Sequence, residues 1–407
     1  MSNELLFKGL KVIDACSWIA APAASLILAD YGAEVIKIEA PDRVDGLREY
    51  KNYKKNPRSE KNYPWIVDNR NKKGLTLNLK TDEGQKIFRD LIKETDVFIV
   101  NTPLNVRRRL KVTYNDVVNI NPRIIYASLT AFGEKGPDAE LPGFDLTSWW
   151  ARSGMMAYIH PPGIKKQSRE LPGQGDHPSS IALYAGIVTA LYRREKTGVG
   201  SKVSTSLLAN GVWCNATLVQ AKLVNADFDD FFSYLDKRKS IRDAEYITKD
   251  GRTVFFTMVR TMDDFYRFAR ALGMEDKINK DIYSDIEEFK NDEEQFIAEI
   301  GERIRKKTWA EWKIIFEKNK ILPTLSATID EVVKDPQLKA NGMIVPVKDE
   351  SLKREYPYIV NHPVCIHDIK SEPIKKAPSH GEHNVEILQG LNYSLTEIEE
   401  LKKKNII

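Results

Sequence analysis

The chain contains little cysteine and no apolar run long enough to cross a membrane. Three cysteines occur in 407 residues (Cys16, Cys214 and Cys365), far apart and without a C-x-x-C pattern. Such usage argues against a disulfide framework or a cysteine metal site and is typical of a reducing cytosol. The best apolar stretch, near residues 183–192, is too short to span a bilayer and predicts a buried helix. The N-terminus, MSNELLFKGLKV, lacks a signal-peptide core, so we expect a cytoplasmic protein that does not bind membranes.

The chain also lacks an excess of charge of either sign. Its 62 lysines and arginines nearly balance its 58 aspartates and glutamates, which leaves a net charge of +4. A balance this close gives no reason to expect nucleic acid or an anionic membrane as a partner. With 42% hydrophobic and 29% charged residues the composition is that of a globular protein, and the length of 407 residues predicts two or three domains.

Short apolar runs alternate with helical patterns in the first half of the chain. We predict helices over 21–30, from Thr81 onward and near 115–120, and strands over 10–14, 34–39, 96–100 and 123–129. This alternation predicts βαβ units with parallel strands, and therefore an α/β domain with a Rossmann-like open parallel sheet. Ligands of such sheets bind beyond the carboxyl ends of the strands. That rule selects the segments 15–22, 40–48, 101–109 and 130–137.

In the second half of the chain the pattern changes. Residues 246–256 predict a β-hairpin, and charge-rich helical sequence follows over 263–318. We therefore assign residues 225–320 to a smaller α+β domain. The larger domain would comprise residues 1–224 and be completed by a return segment, 321–407.

The turn after the first strand lacks the glycines of a dinucleotide site. It reads Ala-Cys-Ser-Trp-Ile-Ala-Ala-Pro rather than G-x-G-x-x-G, and no G-x-x-x-x-G-K-[ST] occurs in the chain. Glycines there let a pyrophosphate approach the backbone at a helix N-terminus. We therefore expect no nicotinamide or flavin cofactor, while a larger phosphate-bearing cofactor held in another way stays open. The basic stretch 40–74 and the arginines at 107–109 are candidates for phosphate contacts or for plain solvated surface.

Asp145 is the carboxylate with the most informative position. It lies in Leu-Pro-Gly-Phe-Asp-Leu, after a Pro-Gly break and before an apolar, aromatic segment that contains Trp149 and Trp150. Aspartate is a favoured N-cap residue, so one interpretation is structural. A carboxylate at the mouth of a pocket is also a nucleophile. These residues alone leave both interpretations open.

Several segments, in a fixed order, carry a resemblance to a known family. They are GLKVIDACSWIAAPAASLILADYGAEVIKIEAP, NRNKKGLTLNLKTDEG, DVFIVNTP, NPRIIYASLTAFGEKGP, LPGFDLTSWWARSG, PGQGDHPSSIALYAGIVTALYRREKTGVGSKVSTSLL and GEHN. Together they resemble the class III coenzyme A-transferases, which include formyl-CoA:oxalate and carnitine CoA-transferases and the 2-methylacyl-CoA racemases. The combination of EKGPD, LPGFD and PGQGDH is most similar to clostridial transferases for 2-hydroxy acids such as phenyllactate.

The resemblance implies that Asp145 is the nucleophile of a CoA-transferase whose substrates are an acyl-CoA and small carboxylic acids. An aspartate is ionised at neutral pH and attacks the donor thioester to give a mixed anhydride. CoA thiolate then converts the anhydride into an aspartyl-CoA thioester, and the acceptor acid repeats both steps in reverse. Backbone N–H groups of the turn at 172–176 would stabilise the oxyanions, and Trp149 and Trp150 would help to exclude water.

The resemblance also implies contacts with CoA, a homodimer of interlocked chains and no metal. The matching positions for CoA are Ile19, Ala20, Leu77, Asn78, Lys80, Asn101, Thr102, Arg109, Thr130, Phe132 and Gly133. Two positions depart from the oxalate enzyme, which has glutamine in place of Ile19 and arginine in place of Ala40. An apolar Ile19 favours a 2-hydroxy acid or a related hydrophobic carboxylate over a small diacid.

Two alternatives remain within the family. The first is a 2-methylacyl-CoA racemase, which moves an α-proton between a histidine–carboxylate pair and a second aspartate. Asp176 matches that second aspartate, but Phe144 stands where the histidine should precede Asp145, and neither His160 nor His177 is at the matching place. The second alternative is a CoA-transferase for acids of the oxalate, carnitine or succinate type.

Overall fold

A computed structural model of the chain describes residues 5–160, 164, 166–231, 233 and 240–407. Residues 1–4, 161–163 and 165 of the predicted larger domain, and 232 and 234–239 of the predicted smaller one, lie outside the described residues. By its contacts the chain divides into two compact units. The larger unit comprises Met1–Ile159, Gln167–Leu223 and Gln337–Ile407, and the smaller unit comprises His160–Lys166 and Val224–Pro336.

The larger unit is built on a six-stranded parallel sheet. In chain order its strands are β1 (Lys11–Ala15), β2 (Glu34–Glu39), β3 (Lys73–Thr76), β4 (Val97–Val100), β5 (Ile125–Thr130) and β6 (Ser201–Ser206). Their order across the sheet is β3-β2-β1-β4-β5-β6, and every neighbouring pair runs parallel. The predicted open parallel sheet is therefore confirmed. The order reverses between β1 and β4, where folds of this type form a ligand crevice.

The two strands at the edges of the sheet were not predicted from the sequence. The β3 sequence, Lys-Gly-Leu-Thr, contains one large apolar residue, and β6, Ser-Lys-Val-Ser-Thr-Ser, is mostly polar. Only the central strands of a parallel sheet are buried on both faces and read as continuous apolar runs. Polar edge strands therefore give a weak signal in a search for apolar runs.

Helices fill most connections between the strands. The predicted helix after Thr81 is confirmed, and the Thr81 hydroxyl caps it by accepting the N–H of Gly84 at 3.1 Å. The α-helices are α1 (Ala20–Asp30), α2 (Gly46–Glu49), α3 (Tyr63–Asn69), α4 (Asp82–Lys93), α5 (Leu104–Arg109), α6 (Tyr114–Val118), α7 (Met155–Tyr158), α8 (Asp176–Thr197), α9 (Leu207–Cys214), α10 (Ala216–Leu223), α11 (Met262–Leu272), α12 (Ile286–Ile304), α13 (Trp309–Lys318), α14 (Ile329–Val332), α15 (Pro336–Ala340), α16 (Glu350–Glu355), α17 (Asn384–Gly390) and α18 (Leu395–Lys403). A 3₁₀ turn occupies Tyr50–Asn52 and a π-helix occupies Leu146–Ala151. Within the residues that the structure describes, no helix has the length and apolar character needed to cross a membrane.

Helices cover both faces of the sheet. Successive residues of a strand point to opposite faces, so Val12 and Ile13 of β1 enter different cores. Ile187 of α8 lies in the first core, together with the buried small residues of α1. Phe88 of α4 and Leu401 of α18 lie in the second. Burial on both sides explains why the central strands are apolar at nearly every position.

The C-terminal segment is bound to the outer side of β3. The N–H of Thr76 donates to Asn384 Oδ1 at 2.9 Å, and Asn384 Nδ2 donates to Thr76 Oγ1 at 2.7 Å. The N–H of Gly74 donates to His383 Nδ1 at 3.0 Å, and the N–H of His383 donates to the Gly74 carbonyl at 2.9 Å. His383 and Asn384 thus occupy the hydrogen-bonding positions that a further strand would use.

The smaller unit contains the predicted hairpin. Strands β7 (Tyr246–Ile247) and β8 (Thr253–Phe255) pair antiparallel, and Gly251 takes a positive φ of 75° in the turn between them. A third strand, β9 (Thr324–Leu325), pairs with β8, although the sequence assigned residues from 321 onward to the return segment. The difference has a packing cause, because Ile321 and Leu325 complete the aromatic core of this unit. Two further strands, β10 (Ile344–Pro346) and β11 (Tyr358–Val360), pair antiparallel in the larger unit.

Asn384→Ala tests the attachment of the C-terminal segment. The substitution leaves the buried N–H of Thr76 without its acceptor, and such a loss costs about 1–3 kcal/mol. We expect the free energy of unfolding to fall by this amount and the urea midpoint of unfolding to fall with it. Gln389→Ala, an exposed position of the same helix α17, is the matched control and should leave the midpoint unchanged. An equal stability of the two variants would contradict the assigned role of Asn384.

Candidate active site

The loops after β1 and β4 meet at the point where the strand order reverses. The N–H of Ser17 donates to Asn101 Oδ1 at 3.0 Å, and Asn101 Nδ2 donates to the Ser17 carbonyl at 2.7 Å. Because one amide side chain binds both polar groups of Ser17, the turn that carries Trp18 and Ile19 is fixed to the neighbouring strand. Asn101 is one of the predicted CoA contacts, and the structure places it in this crevice.

Asp145 is a buried carboxylate with a backbone donor on each oxygen. Its side chain is part of a residue only 8% exposed, at the N-cap of the π-helix Leu146–Ala151. Oδ1 accepts the N–H of Leu146 at 2.9 Å, and Oδ2 accepts the N–H of Gly173 at 3.0 Å. The capping interpretation of this residue is therefore correct. The bond to Gly173, 28 residues away, goes beyond capping and joins Asp145 to the glycine loop.

Two positions in the loop at 172–176 require glycine, because a side chain there would be strained or would clash. Gly173 takes a positive φ of 79°, and a Cβ there would lie 3.2 Å from His177 Nδ1 and 3.4 Å from Ile19 Cδ1. A Cβ at Gly175 would lie 2.6 Å from Cγ of Trp149, which is too close for any side chain. The loop therefore packs directly on Trp149 and on Ile19, and this packing aims the Gly173 N–H at Asp145.

Other carboxyl groups surround Asp145. Burial, and after it the charge of Asp145, raises the pKa of Asp176 to about 8. Burial and the charge of Asp145 also raise the pKa of Glu170, whose Oε2 is buried without a hydrogen-bond partner among the described residues. His177 Nε2 lies 3.1 Å from Asp68 Oδ1. Burial disfavours the charged imidazole, but the hydrogen bond and charge of Asp68 outweigh it and raise the pKa of His177.

Trp149 and Trp150 both lie in the core. Their rings stack with centroids 6.0 Å apart, and the two residues are 6% and 4% exposed. Trp150 Nε1 donates to the Ser168 carbonyl at 2.8 Å. The two rings anchor the π-helix that follows Asp145 in the apolar core.

A cluster of buried charges lies under the turn after β1. Lys37 of β2 donates to Asp45 Oδ2 at 2.9 Å and to the Cys16 carbonyl, and its ammonium lies 3.9 Å from Asp14. Lys72 donates to Asp14 Oδ2 at 2.9 Å. Burial opposes ionisation of Asp14, yet the two ammonium groups hold its pKa far below the usual range. Burial alone would lower the pKa of Lys37, but the charges of Asp14 and Asp45 raise it.

The structure brings several predicted contact residues close to the neighbourhood of Asp145. Ile19 precedes α1 and borders Gly173, and Ala20 begins that helix. Thr130 ends β5, and its hydroxyl accepts the N–H of Gly133 at 3.0 Å. A ring carbon of Phe132 lies 3.1 Å from where a Cβ on Gly143 would stand, two residues before Asp145.

The remaining predicted contacts lie farther along the same edge of the sheet. Leu77 and Asn78 follow β3, and the N–H of Asn78 donates to the Ile406 carbonyl at 2.7 Å, while Asn78 Oδ1 accepts the N–H of Lys80 at 3.2 Å. Thr102 follows β4, and its carbonyl accepts Arg107 Nε at 2.6 Å. Arg109 is exposed at the end of α5. The described contacts do not link these residues to Asp145.

Of the arginine triplet, Arg107 is structural. It is 1% exposed and donates to Ser128 Oγ at 2.7 Å and to Glu134 Oε1 at 2.8 Å. Arg108 pairs with Glu140. Of the three arginines, Arg107 and Arg108 are paired with acidic side chains, and Arg109 is the exposed one without a described ion pair.

Sequence reasoning missed Trp18, Asp45 and Asp68. Trp18 has a positive φ of 67°, which a bulky residue rarely adopts and which no sequence pattern announces. One signal was available for the charge cluster, since Lys37 lies among the apolar residues Val35, Ile36 and Ile38 of strand β2. A lysine buried on such a strand requires an acidic partner. Among the described residues, no group of three or more histidine, cysteine or acidic side chains is arranged to hold a metal ion.

A doubly wound parallel sheet with a buried carboxylate at its carboxyl edge is the arrangement of an α/β enzyme. The sequence comparison defines which one. Residues 7–384 match CoA-transferase family III, and the chain belongs to that family. It is therefore a class III CoA-transferase family member, as its ordered motifs predicted.

Relatives and solved structures agree with this assignment. The chain is 33% identical over 413 residues to the cinnamoyl-CoA:phenyllactate CoA-transferase of Clostridium sporogenes, covering 99% of this chain and 97% of the relative. It is 29% identical to the (R)-2-hydroxy-4-methylpentanoate CoA-transferase of Clostridioides difficile, covering 99% and 100%. A CAIB/BAIF family protein from Brucella suis has the same fold, with a TM-score of 0.80 at 23% identity over 96% of this chain and 100% of that one.

Asp176→Asn tests the electrostatic coupling around Asp145. Below its pKa of about 8 Asp176 carries a proton, and above it a second negative charge stands near Asp145 and repels an incoming carboxylate. We expect kcat/KM for the acceptor acid to fall as the pH rises through this value. The asparagine variant should lose that fall, whereas Asp276→Asn, at an exposed position, should keep it. An identical alkaline fall in the Asp176 variant would exclude Asp176 as its source.

Proposed function

We propose that the protein transfers CoA from an acyl-CoA donor to a carboxylic acid through covalent intermediates on Asp145. The observation that supports this is the hydrogen bonding of Asp145: its carboxylate is buried, and each of its two oxygens accepts one backbone N–H. A purely structural cap needs one such bond. A nucleophile that becomes an acyl group uses a donor on the carbonyl oxygen it retains, and a donor on each oxygen serves either choice.

The reaction proceeds by four exchanges that balance without a net proton. An oxygen of Asp145 attacks the donor thioester, an O–C bond forms, the C–S bond breaks and CoA leaves as the thiolate. The thiolate attacks Cγ of Asp145, and the donor acid leaves as a carboxylate. The acceptor carboxylate attacks the aspartyl thioester and expels the thiolate again. The thiolate finally attacks the acceptor carbonyl and releases Asp145.

The two backbone donors suit this sequence. When the thiolate attacks Cγ, negative charge develops on the carbonyl oxygen that Asp145 retains. An N–H already in place there stabilises the charge without reorganisation, and one such donor contributes about 10²–10³ in rate. Gly173 and Leu146 supply one donor each, so the arrangement serves whichever oxygen forms the anhydride.

Water has to be kept from the intermediates because both the anhydride and the thioester hydrolyse. The buried Trp149 and Trp150 and the close packing of Gly175 on Trp149 favour a dry site. CoA would lie along the carboxyl edge of the sheet. The predicted contacts there run from Ile19 and Ala20, through Asn101, Thr102, Thr130, Phe132 and Gly133, to Leu77, Asn78, Lys80 and Arg109.

The acids exchanged are 2-hydroxy acids or related carboxylates with an apolar side chain. Two observations support this choice over a small diacid. Ile19, an apolar residue, borders the glycine loop that holds Asp145. The two clostridial relatives described above are named for phenyllactate and for 2-hydroxy-4-methylpentanoate, both apolar 2-hydroxy acids.

We further propose a cytoplasmic homodimer of interlocked chains, with the predicted domains as its folding units. Trp213 of α9 and Leu223 of α10 are 80% and 71% exposed in the single chain, which suits a surface that a second copy covers. Sedimentation should give a particle of twice the 46.5 kDa chain mass. A 46.5 kDa particle at micromolar concentration would exclude the dimer.

Asp145→Asn tests the nucleophile. It replaces the attacking oxygen by an amide and should reduce CoA exchange between phenyllactate and an arylacryloyl-CoA by at least about 10³-fold, as the loss of a covalent nucleophile does. Wild-type enzyme incubated with acyl-CoA and hydroxylamine should yield a modified peptide at Asp145, detected by mass spectrometry. The exposed Asp276→Asn is the control.

Exchange that persists in the Asp145 variant, or an adduct elsewhere in the chain, would refute this mechanism. The racemase alternative gives a separate signal, because it washes deuterium from solvent into the 2-position of a 2-methylacyl-CoA. With Phe144 in place of the histidine base, we expect no such incorporation.

A further inference from the structure

The most unusual backbone conformation near Asp145 belongs to Trp18. Its φ of +67° lies in the left-handed region, which β-substituted residues avoid and which glycine usually occupies. Such a conformation persists only where the surroundings hold it, and these positions concentrate at functional sites.

Besides Asn101 at Ser17, the residues Asp45, Lys37 and Gly46 hold the Trp18 turn in place. The N–H of Trp18 donates to Asp45 Oδ1 at 3.0 Å. Asp45 Oδ2 accepts Lys37 Nζ at 2.9 Å, and the same ammonium donates to the Cys16 carbonyl, so Lys37 and Asp45 bind the turn from both sides. The indole ring lies over Gly46, where a Cβ would stand 2.5 Å from a ring carbon.

This conformation places the indole against Phe144, the residue that precedes Asp145. The Trp18 ring meets the ring of Phe144 edge to face, with centroids 5.5 Å apart at 90°, and meets Tyr50 at 6.2 Å. Phe144 directly precedes Asp145 and is 53% exposed. Ile19, the next residue after Trp18, borders Gly173, which donates to Asp145. Trp18 and Ile19 therefore contact the residue before Asp145 and the glycine whose N–H donates to Asp145.

The electrostatic neighbourhood of Asp145 contains acidic groups, Glu170 and Asp176, and the imidazole of His177. Because charge of both signs is present, charge does not select the acid by itself. The aromatic rings of Trp18 and Phe144 favour an acid with an apolar side chain.

We propose that Trp18 determines substrate specificity: with Phe144 and Ile19 it forms a wall that binds the aryl or branched alkyl side chain of the acid that reacts at Asp145. Lys37 and Asp45 are positioning residues, which act through the backbone of Trp18 and do not touch the substrate. This inference rests on the proposed function and adds to it the side chains that select the acid.

The test compares acids in the full-length enzyme. Rates of CoA exchange from an arylacryloyl-CoA are measured with 3-phenyllactate, 2-hydroxy-4-methylpentanoate, lactate and malate. Trp18→Ala should lower kcat/KM for phenyllactate about 10- to 100-fold, in line with the loss of a large apolar contact. For lactate, whose methyl group is too short to reach the wall, the change should stay below about threefold. Tyr358→Ala, an exposed aromatic of β11, is the matched control and should change no rate.

Asp45 provides the test of positioning. Asp45→Ala removes the acceptor of the Trp18 N–H, and its ratio of kcat/KM for phenyllactate to that for lactate should fall toward that of Trp18→Ala. Asp45→Asn keeps an amide oxygen for the Trp18 N–H but turns its amide nitrogen toward Lys37, so it should lower the ratio less than Asp45→Ala does. Trp18→Gly, which suits a positive φ, replaces Trp18→Ala if the latter does not fold, and should give the same loss of selectivity.

The outcomes separate this inference from the proposed function. A wild-type enzyme that exchanges CoA with none of these acids would refute the proposed function, and the specificity wall would fall with it. A wild-type enzyme that exchanges CoA, with Trp18 variants that slow every acid equally, would refute the wall alone. Malate accepted as well as phenyllactate by the wild type would also overturn it.

Discussion

The buried pairing of Lys37 with Asp14 and Asp45 is the interaction on which the site depends. It joins the neighbouring strands β1 and β2 to the turn that follows β1, at a depth where Lys37 and Asp14 are wholly buried. A buried charge that loses its partner costs about 3–5 kcal/mol, so none of the three side chains can move independently. Since Lys37 also binds the Cys16 carbonyl, it fixes the turn whose next residues, Trp18 and Ile19, contact Phe144 and Gly173.

Asp145 and the carboxyl groups near it differ in their hydrogen bonds and in the electrostatic effect of their surroundings. Asp145 receives two backbone donors, whereas Asp176 and Glu170 are pushed toward the protonated form by burial and by its charge. Burial and the nearby charge favour a proton on Asp176 at neutral pH, so this residue adds no second negative charge beside Asp145 there.

The sequence predicted the centre of the fold better than its edges. Strands β1, β2, β4 and β5 are apolar because both of their faces are covered, and the search for apolar runs found them. The polar edge strands β3 and β6 gave no such signal, and β3 is completed by His383 and Asn384 from more than 300 residues away. For the site, the motif order selected Asp145 and the loops at the strand ends. It could not select Trp18, because a left-handed backbone on a bulky residue depends on Lys37 and Asp45, which only the folded chain brings beneath it.

The missing glycines after β1 have a consequence for what this crevice can recognise. In a dinucleotide enzyme that turn is bare backbone, and its N–H groups read the charge of a phosphate. Here the residue in the left-handed conformation is a tryptophan, whose indole contacts Phe144 and Tyr50. The turn therefore presents an apolar ring where a dinucleotide site presents glycine backbone, and the buried Lys37 supports that turn through Asp45 and the Cys16 carbonyl instead of facing a ligand.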